Sequence, residues 1–126
     1  MRFRTLLAVP FIALSVAGCS SGSGSSSATT PANATVITAI EGIAWDAKTY
    51  TAAAVAGEVT ISLVNNSSLP HNLHLIDPEN IDAGLVLDVQ GRSDVDSDSY
   101  PLAPNTYQVI CTIAGHGNMK ATLTVT

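Results

Sequence analysis

Basic residues are scarce in this chain: five Lys and Arg stand against ten Asp and Glu, for a formal net charge of −5. A protein that neutralises phosphates needs a positive face, so this balance argues against nucleic acid as a partner. Aromatic residues make up only 5% of the chain and charged residues 12%. The apolar bulk comes from small aliphatic side chains, and abundant Val, Ile and Thr favour half-buried strands over long amphipathic helices. No apolar run is long enough to span a bilayer: the run from Thr5 to Gly18 has 14 residues, where roughly 20 are required. Cysteine is limited to Cys19 and Cys111. One disulfide is formally available, but their contexts differ so much that each needs its own reading.

The N-terminal residues carry a targeting pattern. A basic start (MRFR), the apolar run TLLAVPFIALSV, and small Ala17 and Gly18 before Cys19 read as a secretory signal over residues 1–18. The stretch VAGC resembles the lipobox of bacterial lipoproteins, in which the Cys becomes a lipidated N-terminus. That resemblance implies a protein outside the cytoplasm, lipid-anchored to the bacterial cell membrane through Cys19. The other reading is an ordinary secretory cleavage nearby with an incidental Cys. Lipid on Cys19 would leave Cys111 as the only thiol of the exported domain. Loss of the signal would leave Lys48, Arg92 and Lys120 against ten acidic residues, a net charge of about −7. Residues 19–34, mostly Ser, Gly, Thr and Ala without periodicity, read as a flexible tether.

From Thr35 to Thr126, short segments of two-residue periodicity alternate with turn signals. This is the pattern of an all-β sandwich or barrel, expected here as a Greek-key arrangement of about seven or eight strands. Strands are expected near Thr35–Ile40, Thr49–Ala53, Glu58–Asn65, Asn72–Ile76, Val95–Tyr100, Thr106–Cys111 and Ala121–Val125. Val59, Ile61 and Leu63 share one face, opposite Thr60 and Ser62. The segment from Asp77 to Arg92, with Pro78, Asp82, Gly84 and Gly91, reads as a long irregular excursion with a short helical turn. Seven of the ten acidic residues fall between Asp77 and Asp98, and a solvated acidic loop accounts for them better than a docking patch. Trp45 and Tyr107 read as core or corner residues.

The residues that carry chemistry gather near the C-terminus. Cys111 shares strand parity with Tyr107 and Val109, so its thiol should point into the core. A lone buried Cys is usually a small hydrophobe, but Cys111 begins the series CTIAGHGNMK, with spacing C-x4-H-x2-M to His116 and Met119. Ala114, Gly115, Gly117 and Asn118 between them offer tight turns. Earlier, in LPHNLHLI, His71 shares parity with Leu73 and Leu75 and can reach the same end of the core, whereas His74 faces the other way. Two imidazoles, a thiolate and a weak thioether suit copper, while zinc usually takes four strong ligands or keeps a water. Such a closed, redox-active site suits single-electron carriage rather than substrate chemistry.

These residues give the chain a resemblance to the cupredoxins, the plastocyanin and azurin family of blue copper proteins. It spans Ala34 to Thr126, through VAGEVTISLVNN, the PHN histidine segment, LAPNTYQVICT and the closing His and Met loop. The resemblance implies one mononuclear type 1 copper, with His71, Cys111 and His116 as equatorial ligands and Met119 as the axial one. It also gives Asn72 the role of pinning the ligand loops, with Thr112 as its partner. The implied function is electron transport, with redox proteins of a respiratory or related electron-transfer chain as partners and a monomeric state; no enzymatic activity is implied. Leu69, Pro70, Ala114, Gly115 and Gly117 would form a docking patch around the His116 ring edge. The chain departs from the family in two ways. The gap from His116 to Met119 is shorter than in azurin-like or plastocyanin-like members, though it matches amicyanin-like ones, and Ala114 stands where many members have Pro. A different reading makes copper the cargo, for delivery, storage or resistance; the closed ligand set and the absence of Met-rich or His-rich tails argue against it.

Overall fold

A computed structural model describes residues 29–126. The signal, Cys19 and the first part of the tether lie outside the described residues. Nine strands make up the regular structure: β1 (Thr35–Ile40), β2 (Ala44–Trp45), β3 (Thr49–Ala52), β4 (Glu58–Asn66), β5 (His71–Ile76), β6 (Asp82–Val89), β7 (Val95–Pro101), β8 (Asn105–Ile110) and β9 (Lys120–Val125). They form two sheets, ordered β2-β1-β4-β7 and β3-β9-β8-β5-β6. Both sheets are mixed, because β1 runs parallel to β4 and β3 parallel to β9 while the other pairs are antiparallel.

The seven strands expected from periodicity are all present, each within one residue at either end. Alternation explains why. In β8, Tyr107 and Val109 are buried and Gln108 between them is exposed; in β9, Ala121, Leu123 and Val125 are buried against half-buried Thr122 and Thr124. The inner faces close on a core that includes Ile37, Ile61, Leu63, Leu73, Leu75, Leu87 and Leu123, each almost wholly removed from water. Trp45 lies in this core as expected. Tyr107 is a corner residue as well, its hydroxyl donating to the Ala103 carbonyl at 2.8 Å.

The segment from Asp77 to Arg92 is a correction. No helical turn forms in it; residues Asp82–Val89 are the strand β6, paired antiparallel with β5. Asp82, Gly84 and Asp88 disguise it, since each is disfavoured in strands, yet Leu85, Leu87 and Val89 alternate inward as a strand requires. Pairing changes register between His74 and Ile76: His74 faces Val86, but Ile76 faces Asp82. Three residues of β6 thus oppose Leu75 alone, a bulge that accommodates the glycine. Gly84 has φ of +99°, and a Cβ there would run into the Tyr100 hydroxyl.

Because β5 pairs antiparallel with β8 and β8 with β9, the start of β5, the end of β8 and the start of β9 meet at one end of the sandwich. The connections from β4 to β5 and from β8 to β9 lie there together. Gly84→Ala should destabilise the domain by about 1–3 kcal/mol, since alanine is strained at positive φ. A urea midpoint unchanged from the parent protein would contradict the bulge geometry.

Candidate metal centre

His71 is the first residue of β5, and strand parity with Leu73 and Leu75 turns it inward, leaving the residue 1% exposed. Cys111 follows the last residue of β8 and keeps the inward parity of Tyr107 and Val109 at 6% exposure. Among the described residues it is a free thiol. The chain then makes two successive tight turns. His116 N–H donates to the Ile113 carbonyl and Met119 N–H donates to the His116 carbonyl, both at 3.0 Å. Gly115 occupies the third position of the first turn with φ of +86°, which a type II turn demands. His116 closes one turn and opens the next.

The result is a compact donor set. Ligand-capable atoms of His71, Cys111 and His116 all lie within 4.8 Å of one another, and all three residues are buried. Cys111 Sγ is 3.6 Å from His116 Nδ1. The two imidazole centroids are 4.9 Å apart, with the rings inclined at 44°. Met119, directly before β9, is 1% exposed. A buried polar nitrogen normally has a partner, but His71 Nδ1 has none. Its other nitrogen, Nε2, lies 2.7 Å from the Ser67 hydroxyl. One ring nitrogen is thus occupied and the other is buried and free to take a metal. Borderline imidazoles beside a soft thiol are a donor set that fits such an ion.

Asn72 and Thr112 do bind each other across the two ligand-bearing connections. Asn72 Nδ2 donates to Thr112 Oγ1 and Thr112 N–H donates to Asn72 Oδ1, each at 2.7 Å. The pair ties the residue after His71 to the residue after Cys111. Leu69, Pro70, Ala114, Gly115 and Gly117 are all exposed. His74 faces away from the site, its Nδ1 2.7 Å from an Asp82 carboxylate oxygen. Sequence reasoning missed Asn65 and Ser67. Both are buried polar residues, 1% exposed, and both support the connection that leads into His71. Asn65 shares the inward parity of Val59, Ile61 and Leu63 in β4, and Ser67 lies between that strand and the PHN segment; nothing else in the sequence hinted at them.

No family model matches the chain, and no curated protein matches it in sequence. Solved structures do. The chain is similar to auracyanin from the photosynthetic bacterium Roseiflexus castenholzii, at 20% identity and a TM-score of 0.58, over 78% of this chain and 99% of that one. It is similar to auracyanin A, described as a "blue" copper protein, from the green thermophilic photosynthetic bacterium Chloroflexus aurantiacus, at 23% identity and a TM-score of 0.57, over 72% and 96%. It is also similar to an azurin from the methylotroph Methylomonas sp. strain J, at 16% identity and a TM-score of 0.59, over 76% and 99%. These likenesses establish an all-β, cupredoxin-like fold.

Burial holds the His71 imidazole below its ordinary value of 6.5, and the neighbouring His116 adds to the effect while Glu41 opposes it. The unfolded chain therefore takes up this proton before the native state does. Stability contributed by neutral His71 is complete above about pH 6.5 and drains away as pH falls toward the lowered native value. For the metal-free protein, urea denaturation should show stability falling from about pH 7 to about pH 5, by no more than about 1.4 kcal/mol per pH unit for this proton. The fall should be smaller in His71→Asn; an equal fall in both proteins would contradict a buried, neutral His71.

Proposed function

We propose that this chain, whose fold is that of the cupredoxins, is a type 1 copper protein that carries single electrons between redox proteins outside the cytoplasm. The observation that supports this most directly is the buried donor set at one end of the sandwich. Within it, His71 Nδ1 is shut away from water without any partner in the protein. In this reading His71, Cys111 and His116 hold one copper ion, with Met119 as a weaker fourth ligand. A bound copper would supply the one-electron couple. The protein's part is to keep the ligands fixed and dry, so that little rearranges when an electron arrives or leaves.

Each residue contributes something different to that task. Cys111, at the end of a paired strand, offers the softest donor. The Asn72–Thr112 pair locks the two connections to each other, which limits how far His71 and Cys111 can part. His116 is 7% exposed against 1% for His71, so its ring is the route by which an electron would pass to a partner. Small exposed residues (Ala114, Gly115, Gly117) flank it in the chain, and Leu69 is 41% exposed. A patch of this kind suits brief encounters, which bury less than about 1,200 Å². The partners would be proteins of a respiratory or related electron-transfer chain. Lipid on Cys19 would hold the domain at the bacterial membrane, with residues 19–34 as the tether.

Among the described residues, the His71, Cys111 and His116 group is the one cluster of His, Cys and carboxylates close enough to hold a metal. An electron carrier needs no second centre for substrate, and the reading adopted is a carrier rather than an enzyme. Loaded with Cu(II), the protein should show an intense visible thiolate-to-copper charge-transfer band that is absent in Cys111→Ser. A colourless protein that surrenders copper readily to a chelator would instead favour metal delivery. Leu69→Asp should leave that band in place and slow electron exchange with the physiological partner at least several-fold; unchanged exchange kinetics would remove the docking patch from the proposal.

A further inference from the structure

The connection between β4 and β5 is built around a hydroxyl that the electron-carrier reading leaves unused. Ser67 is 1% exposed and its Oγ has three polar neighbours. His71 Nε2 is at 2.7 Å, the Leu69 carbonyl at 3.2 Å and the Leu69 N–H at 3.2 Å. A serine hydroxyl has one hydrogen to give and two lone pairs to receive with. The Leu69 N–H can only donate, so it occupies one lone pair. The Leu69 carbonyl can only accept, so it takes the hydroxyl hydrogen. One lone pair remains for His71, and it can be filled only if Nε2 carries the ring proton.

The opposite assignment is poorer. If the hydroxyl gave its hydrogen to Nε2, the bond to the Leu69 carbonyl would be lost. The ring proton would then sit on Nδ1, a buried N–H with no acceptor, and orphaned buried N–H groups are rarer than unfilled acceptors. Counting donors and acceptors therefore selects one neutral tautomer, with Nε2–H bound to Ser67 and a bare lone pair on Nδ1.

Ser67 is itself held in place. Asn65, also 1% exposed, accepts the Ser67 N–H on Oδ1 at 3.0 Å and donates from Nδ2 to the Leu69 carbonyl at 2.8 Å. Its own backbone is fixed to the turn after β6: Asn65 N–H donates to the Asp94 carbonyl at 2.9 Å and Ser93 N–H donates to the Asn65 carbonyl at 2.8 Å. Outside, Glu41 accepts the Ser68 N–H at 3.0 Å and pairs with Arg92. Both polar atoms of the Asn65 side chain thus have a partner, and the hydrogen and both lone pairs of the Ser67 hydroxyl are assigned.

We infer that Ser67 is a positioning residue: its hydroxyl fixes the ring of His71 as the Nε2–H tautomer, so that Nδ1 presents a lone pair to the metal site. The consequence for metal rests on the proposed copper reading, whereas the tautomer is a property of the metal-free protein. A metal-ligating His whose outer N–H loses its partner typically loses affinity by about 10- to 100-fold.

The test uses the metal-free, 15N-labelled protein near pH 8, where two-bond proton–nitrogen spectra of the imidazoles report which ring nitrogen carries the proton. His74 is an internal control with the opposite expectation, since its Nδ1 faces the Asp82 carboxylate and should hold the proton. Wild-type His71 should read as Nε2–H. Ser67→Ala should give a mixture of tautomers with His74 unchanged, and should weaken Co(II) binding, followed by the thiolate charge-transfer band, by about 10- to 100-fold. Ser67→Thr, which keeps the hydroxyl, should restore both. A wild-type His71 protonated on Nδ1, or a Ser67→Ala protein with wild-type tautomer and Co(II) affinity, would overturn the inference. The wild-type spectrum decides even if Ser67→Ala fails to fold. The expected tautomers in a protein that never shows the copper band would support the role of Ser67 while removing the electron-carrier reading.

Discussion

A slip of one residue in the pairing of β5 with β8 would dismantle this molecule's chemistry. Pairing of His74 with Ile110, Leu75 with Val109 and Ile76 with Gln108 sets the start of β5 beside the end of β8. Side chains alternate with a period of two, so a one-residue shift of β5 would turn His71 outward and put the polar Asn72 into the core. The register is enforced by apolar burial: Leu73 and Leu75 on one strand and Val109 on the other are wholly removed from water. The same burial that stabilises the sandwich therefore aims His71 and Cys111 at one place.

That dependence explains which features were legible in the sequence. Strand parity alone placed His71 and Cys111 inside and His74 outside, because a strand's facing follows from counting. The C-x4-H-x2-M spacing marked the return loop, although the two linked turns that bring His116 inward depend on the positive φ of Gly115 and were visible only as a cluster of small residues. The strand β6 was hidden by Asp82, Gly84 and Asp88, whose local preferences oppose an extended edge; pairing with β5 overrode them. The two-residue β2 is too short to carry any periodicity. Parity with Val59, Ile61 and Leu63 turns Asn65 inward as well, but no motif tied it to the site, and Ser67 lies beyond the strand, where parity says nothing. A Ser in NNSSLP reads as a surface turn, and only the folded chain shows the hydroxyl turned inward against an imidazole. Residues 1–28, with Cys19, lie outside the described residues.

The polar groups at the site end are arranged so that few are left without partners. Asn72 and Thr112 satisfy each other, Asn65 and Ser67 satisfy the connection into β5, and the exception is His71 Nδ1. Buried polar networks are stabilising when complete and destabilising when one member is unpaired. A buried ring nitrogen without a partner is a local defect in the metal-free fold, and filling it would couple ligand binding to stability.

Asn65 belongs to β4 in one sheet through its backbone and to the approach to β5 in the other through its side chain. The connection it braces carries no regular structure, yet its ties run into both sheets and to the turn after β6. Such a segment opens with the sandwich rather than ahead of it. Exchange by way of this connection would therefore run on the slow clock of sub-global unfolding, which leaves the β8–β9 connection, with its exposed small residues, as the faster way in and out.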